Sequence, residues 1–157
     1  MTGAATIDRA GIIPSFASIY VNDNSTAQEI ATGATYVKLT CFASNGDSAI
    51  ITPDAANDKI TITVAGKYLI QGFFSLSGQS STVEWWGAAF VDGVEQAPIH
   101  WNRIISAGGD VGNVSCGNVI TIASAPVDID FRVRHDDVSA QNLTVTYAAL
   151  VARFVGF

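Results

Sequence analysis

Carboxylates, two histidines and three tryptophans are the residues with the most chemical reach in this chain. His135 is followed directly by Asp136 and Asp137, with Asp128 and Asp130 just upstream. Carboxylates suit a hard cation such as Ca²⁺, but a metal site needs ligands converging from different strands. Asp128 and Asp130 alternate with Ile129 and Phe131, the pattern of a half-exposed strand. His135-Asp136-Asp137 reads most simply as a polar turn, so no metal and no cofactor are expected. Glu84 and Glu95 flank one hairpin. Paired carboxylates serve glycoside hydrolysis, yet acidic residues on hairpins are commonplace. Ser115 and Cys116 follow Gly112, which lies one place too early for a nucleophile elbow. Gly108-Gly109 has no following Lys or helix to make a phosphate cradle. These residues give no catalytic set, and the chain is not read as an enzyme.

The tryptophans carry more. Neighbours on a strand point to opposite faces, so one of Trp85 and Trp86 leaves the core. An outward Trp anchors a protein partner or offers a platform to a sugar ring. His100, Asn102 and Arg103 stand beside Trp101 to supply hydrogen bonds. Trp85, Trp86, Trp101 and Arg103 therefore form a candidate glycan or partner surface. The preferred reading is that these rings pack in the core or between subunits.

All of these residues have to be carried by strands, because helical periodicity is almost absent. Short runs rich in Val, Ile, Thr, Tyr and Phe recur between Gly, Asn, Asp, Pro and Ser clusters, as in a sandwich or barrel. Strands are expected at Phe16–Val21, Gln28–Ala31, Tyr36–Phe42, Ala49–Thr52, Lys59–Val64 and Lys67–Leu76. They continue at Trp85–Val91, Ala97–Asn102, Val114–Ile122, Asp128–Arg134 and Leu143–Val155. Turns at Asn45-Gly46, Asp92-Gly93, Gly108-Gly109-Asp110 and Ala125-Pro126 separate them.

The closing strand is apolar on both sides. One face carries Leu143, Val145, Tyr147, Ala149 and Val151; the other carries Thr144, Thr146, Ala148, Leu150, Ala152 and Phe154. A strand covering a monomer's core needs one apolar face, so the second face calls for another copy of the chain. Lys67–Leu76 repeats the theme, with Tyr68, Ile70, Phe74 and Leu76 opposite Leu69, Gln71 and Phe73. A single bulge would exchange the faces.

Composition agrees with a covered surface. Of 157 residues, 48% are hydrophobic and only 14% charged, against a typical share of about 25% charged. The net charge is −6 and the eight Lys and Arg are scattered, so the basic stripe of a nucleic-acid binder is missing. No run is long and apolar enough for a bilayer. The opening residues lack a secretory pattern, and synthesis in a cytoplasm is expected. Cys41 and Cys116 read as thiols on strands, with a bridge as the alternative. Residues 16–157 are expected to form a single domain, and residues 1–15 an extended N-terminal arm. Gly3, Gly11 and Pro14 oppose a helix there, and Ile7, Ile12 and Ile13 are costly to leave in water. The arm is expected to lie on a neighbouring subunit or a larger surface; the alternative is a disordered end.

Ile60–Ser77, ITITVAGKYLIQGFFSLS, resembles the signature of the tumour necrosis factor and complement globular-head family. In that family a strand ends in Gly and a Tyr two residues on opens a long aromatic strand, as do Gly66 and Tyr68 here. Ala88–Gly93, Val114–Ile120 and Arg153–Phe157 resemble later strands of the family in the same order, and the likeness spans roughly Ser18 to Phe157. The resemblance implies an antiparallel jelly-roll β-sandwich assembled as a homotrimer, with one sheet of each copy around a three-fold axis. Tyr68, Phe74, Val145, Tyr147 and Ala149 are the expected axial contacts. The collagen stalk, membrane anchor and secretion signal of animal members are not expected here. Similar jelly rolls occur in bacteriophage virions as capsid decorations and fibre tips.

The expectation is therefore a virion protein made in a host cytoplasm, a trimeric decoration or cement protein of the capsid. Its arm, through Ile7, Ile12 and Ile13, would bind the major capsid protein. The alternative is the receptor-binding head of a phage fibre, recognising a host glycan or surface protein.

Overall fold

The computed structural model describes residues 14–31, 35–78, 82–106 and 110–157. Ile7, Ile12 and Ile13 of the expected arm, and the turn at Gly108-Gly109, lie outside the described residues. The strands are β1 (Phe16–Val21), β2 (Ala27–Ile30), β3 (Val37–Lys38), β4 (Ser44–Asn45), β5 (Thr52–Asp54) and β6 (Lys59–Ile62). They continue as β7 (Gly66–Gly78), β8 (Val83–Val91), β9 (Val94–Ile105), β10 (Val111–Ile122), β11 (Val127–His135) and β12 (Gln141–Gly156). They form two six-stranded sheets. The first runs β10-β7-β12-β1-β4, with β2 also on β12; the second runs β5-β6-β11-β8-β9, with β3 also on β11. Every pairing is antiparallel.

The long strands fall where alternation put them and run further. Among the short ones Phe16–Val21 keeps its expected bounds, and others depart for local reasons. The expected strand at Tyr36–Phe42 stops early, because its backbone leaves the sheet for side-chain partners. Thr40 N–H donates to Gln28 Oε1, and Phe42 N–H to Asp58 Oδ1. The expected strand at Ala49–Thr52 is broken at Ile50, whose φ is +69°, a left-handed conformation that no regular strand contains. Asp92 and Gly93, at φ +45° and +80°, make the two-residue turn that such hairpins favour, joining Val91 to Val94.

The core lies between the sheets. Phe74 of the first sheet meets Phe131 of the second with ring centroids 4.5 Å apart, and Trp101 at 6.3 Å. Gly72 makes this possible: a Cβ there would lie 2.7 Å from Phe74 and 3.0 Å from Phe131. The residues of the Gly66-Lys67-Tyr68 motif share one corner with the last strand. The Tyr68 and Phe154 rings meet edge-on at 5.4 Å, and the Tyr68 hydroxyl donates to the Val64 carbonyl at 2.7 Å. A Cβ on Gly66 would strike the Phe154 ring.

Candidate assembly surface

β7 and β12 lie side by side at the centre of the first sheet, and their alternation decides what each face shows. Tyr68, Ile70, Phe74 and Leu76 of β7 turn inward and are buried. So do Leu143, Val145, Ala148, Leu150 and Ala152 of β12. Outward stand Leu69, Gln71, Phe73 and Ser75 from β7, and Tyr147, Ala149 and Val151 from β12. Phe73 pairs with Ala149, which pairs in turn with Tyr20 of β1, while Ser75 pairs with Tyr147. Tyr20, Phe73 and Tyr147 are 41%, 45% and 49% exposed. An open groove of about 590 Å³ runs between them, with Ser75, Asn113 and Ser115 along its side. Ser18, Gln71 and Gly117 continue the band. Arg153 and Lys67 stand at one end, and Glu29, exposed beside Asn142, stands at the other.

Three of the five expected axial residues are therefore corrected. Tyr68 and Phe74 face the core because Tyr68, Ile70, Phe74 and Leu76 are the inner set of β7. Alternation separates two sets and does not say which is inside. Val145 is 1% exposed because the register slips by one residue between Val145 and Tyr147. That bulge puts Val145 in the core and Tyr147 outside, although both sit at odd positions. Tyr147 and Ala149 do face outward. Phe73 and Tyr20, which the sequence reading did not place among the axial contacts, also stand outward, in the phase opposite the aliphatic set of each strand.

Of the two readings of the tryptophans, packing in the core describes Trp85 and Trp101, and the glycan or partner surface is corrected there. Trp85 is 1% exposed and Trp101 6%, so neither presents a face to a sugar. Both indole N–H groups are buried without a hydrogen-bond partner among the described residues. Trp101 closes over its cross-strand partner Gly87, where a Cβ would collide with the indole. Trp86 points outward, as one of the adjacent pair must, but the Arg134 guanidinium lies 4.3 Å over its ring. Arg103 is exposed and folds against Gly112 at the open edge between β9 and β10.

The carboxylates are occupied in pairs. Asp128 accepts from Lys59 Nζ at 2.7 Å and Thr61 Oγ1 at 2.6 Å, and these bonds hold its carboxyl below the usual range. Asp130 accepts twice from Arg132 and is 7% exposed, more covered than a half-exposed strand suggests. Glu84 and Glu95 lie at opposite ends of their hairpin. Six strand residues, roughly 20 Å, separate them, beyond the ~9.5 Å limit for paired glycosidase carboxylates. His135 corrects the polar-turn reading. It is fully buried, in phase with Phe131 and Val133, with its ring against Trp85 at 5.1 Å. Its Nε2 lies 3.1 Å from the Ile30 carbonyl, and its Nδ1 accepts from Asp137 N–H. Among the described residues no three His, Cys, Asp or Glu side chains converge on a metal position. Cys41 and Cys116 are free thiols, pushed up by burial to about 12 and about 11, far from the thiolate a nucleophile needs.

No protein-family pattern matches this sequence, and no curated protein matches it. Solved structures do match its shape. The globular domain of zebrafish complement 1qA protein aligns over 90% of this chain and 97% of its own, with TM-score 0.57 and 17% identity. Murine APRIL aligns over 90% and 99%, with TM-score 0.59 and 13% identity. The chain is a jelly roll of this kind. At such identities the likeness establishes the fold alone. It agrees with the fold that the ordered motifs from Gly66 to Phe157 implied.

Proposed function

We propose that this chain works as a homotrimer with the outer face of the first sheet turned toward a three-fold axis. We propose further that it is a structural protein of a bacteriophage virion, decorating the capsid. The observation that carries self-association is the band of Tyr20, Phe73, Tyr147, Ala149 and Val151, none of them charged and with three half-exposed aromatic rings among them. Contiguous exposed apolar patches mark interaction sites. The number three comes from the family resemblance. The virion setting rests on composition and on the arm read in the sequence. Action is passive: three copies hide their apolar bands, and Ile7, Ile12 and Ile13 reach the major capsid protein. A glycan-binding head has less to stand on, because two of its three tryptophans are core residues.

Sedimentation equilibrium tests the assembly. The natural chain is expected to run as a trimer, and Tyr147→Asp as a monomer or aggregate, since losing an aromatic anchor costs about 2 kcal/mol or more. A natural chain that stays single-copy across concentrations refutes the trimer. Binding to emptied capsids, lost on deleting residues 1–13, tests the decoration role; a trimer indifferent to capsids refutes it.

A further inference from the structure

The bulge in β12 is held by a residue from another loop. β1 pairs with β12 as far as Val21 opposite Ala148, and β2 resumes with Ala27 opposite Thr144. Residues 145–147 thus have no strand partner on that edge. Asn24, in the β1–β2 connection, fills the gap. Its backbone N–H donates to the Thr146 carbonyl at 3.0 Å, and its Nδ2 to the Val145 carbonyl at 3.1 Å. In a regular strand successive carbonyls point to opposite edges. One residue can take both only where the strand is irregular, and here it is the bulge. Asn24 is itself fixed, since its Oδ1 accepts from Thr26 N–H at 3.0 Å.

The bulge has a directional consequence. Val145 and Tyr147, two residues apart, would share a face in a regular strand. Instead Val145 is 1% exposed and Tyr147 49%. Thr146 is the extra residue that turns Tyr147 out opposite Ser75. We infer that Asn24 is a positioning residue for self-association, its amide holding the bulge that aims Tyr147 out of the core and into the assembly band. The inference rests on the proposed trimer. Asn24 touches no axial position itself and acts through the β12 backbone.

Asn24→Asp is the sharpest probe. It keeps the size of the side chain and the acceptor for Thr26 N–H, and replaces with an oxygen the Nδ2 that donates to the Val145 carbonyl at 3.1 Å and, more weakly, to the exposed Thr26 carbonyl at 3.3 Å. Association measured by sedimentation is expected to weaken about tenfold or more, the loss when a covered carbonyl is left without its donor. In a Tyr147→Ala background the same change is expected to add almost nothing, because residues coupled through a shared backbone shift are not additive. An equal penalty in both backgrounds, or none in either, overturns the inference and leaves the trimer standing. A natural chain that is monomeric overturns both. If Asn24→Asp does not fold, deleting Thr146 in the same chain removes the bulge and is expected to restore a folded trimer. A chain that stays unfolded or monomeric after that deletion overturns the role given to Asn24.

Discussion

The two sheets both carry aromatic rings on their outer faces, and they treat them differently. On the second sheet Trp86, Phe90 and Tyr36 are covered by their own chain. Arg132 lies 4.5 Å over Phe90, and Arg134 lies 4.3 Å over Trp86 and 5.4 Å over Tyr36. Phe90 and Tyr36 meet edge-on at 5.2 Å, and Phe90 ends 6% exposed. On the first sheet, among the described residues, no cation lies over Tyr20, Phe73 or Tyr147. Phe73, on an outer face like Phe90, is 45% exposed. An outward aromatic is thus no sign of a partner by itself. What matters is whether the chain supplies its own cover, and alternating Asp and Arg on β11 supply it for one sheet only.

A charge placed in the uncovered band should do the most damage. Phe73→Asp puts a carboxylate beside Ala149 and Tyr20, where assembly would bury it without a partner. A buried unpaired charge costs about 3 kcal/mol or more, so light scattering should show monomers with a native circular dichroism spectrum. Trp86→Ala, the matching lesion on the other sheet, should leave the assembly intact. A trimer that survives Phe73→Asp, or one lost in Trp86→Ala, would reverse the assignment of the two faces.

The covered face should respond in stability instead. Arg132 donates to Asp130 at 2.7 Å and 3.0 Å, a bidentate pair of the stronger kind, and that pair holds the guanidinium beside Phe90. Asp130→Ala leaves a partly buried cation without its acceptor. The expected cost is about 1–3 kcal/mol, seen as a lower denaturation midpoint with the oligomeric state unchanged. An unaltered midpoint would mean that the ring and its cation need no anchoring.

The fold was readable because strand alternation and turn chemistry survive in the sequence. Phe131, Val133 and His135 share a phase, as do Ile70, Phe74 and Leu76, and Asp92-Gly93 makes the turn it should. The candidate site was readable only in part, for three physical reasons. Alternation groups Tyr68 with Phe74 and Leu69 with Phe73, but the inner group is chosen by the opposing sheet. The bulge at Thr146 has no residue signature of its own, because Asn24, more than a hundred positions away, holds it. Polarity misled at His135: an imidazole with Asp137 N–H on one nitrogen and the Ile30 carbonyl beside the other can be buried, and neighbouring Asp residues made it look wet. The rule that one of Trp85 and Trp86 must face outward was sound. That Arg134 would cover the outward ring was not visible from spacing alone.

The smallest effect expected on the covered face is a pH effect. Hydrogen bonds from Lys59 and Thr61 lower the Asp128 carboxyl below its ordinary range, while the unfolded chain keeps a value near 3.9. A carboxyl depressed in the folded state stabilises fully above the unfolded pKa and loses that stabilisation as pH falls through the folded one. Asp128 is therefore expected to help above about pH 4 and to help progressively less below it. Lys59 and Asp128 have side chains 28% and 41% exposed, so solvent screens the pair and the contribution is small. Asp128→Asn should lower the thermal midpoint slightly at neutral pH, with the difference closing as the solution is acidified. The first sheet's band offers no titrating pair of this kind between Tyr147 and Val151, so the oligomeric state should hold across the same range. A midpoint gap that widens in acid would contradict the assignment of Lys59 and Thr61 as the groups that hold Asp128 ionised.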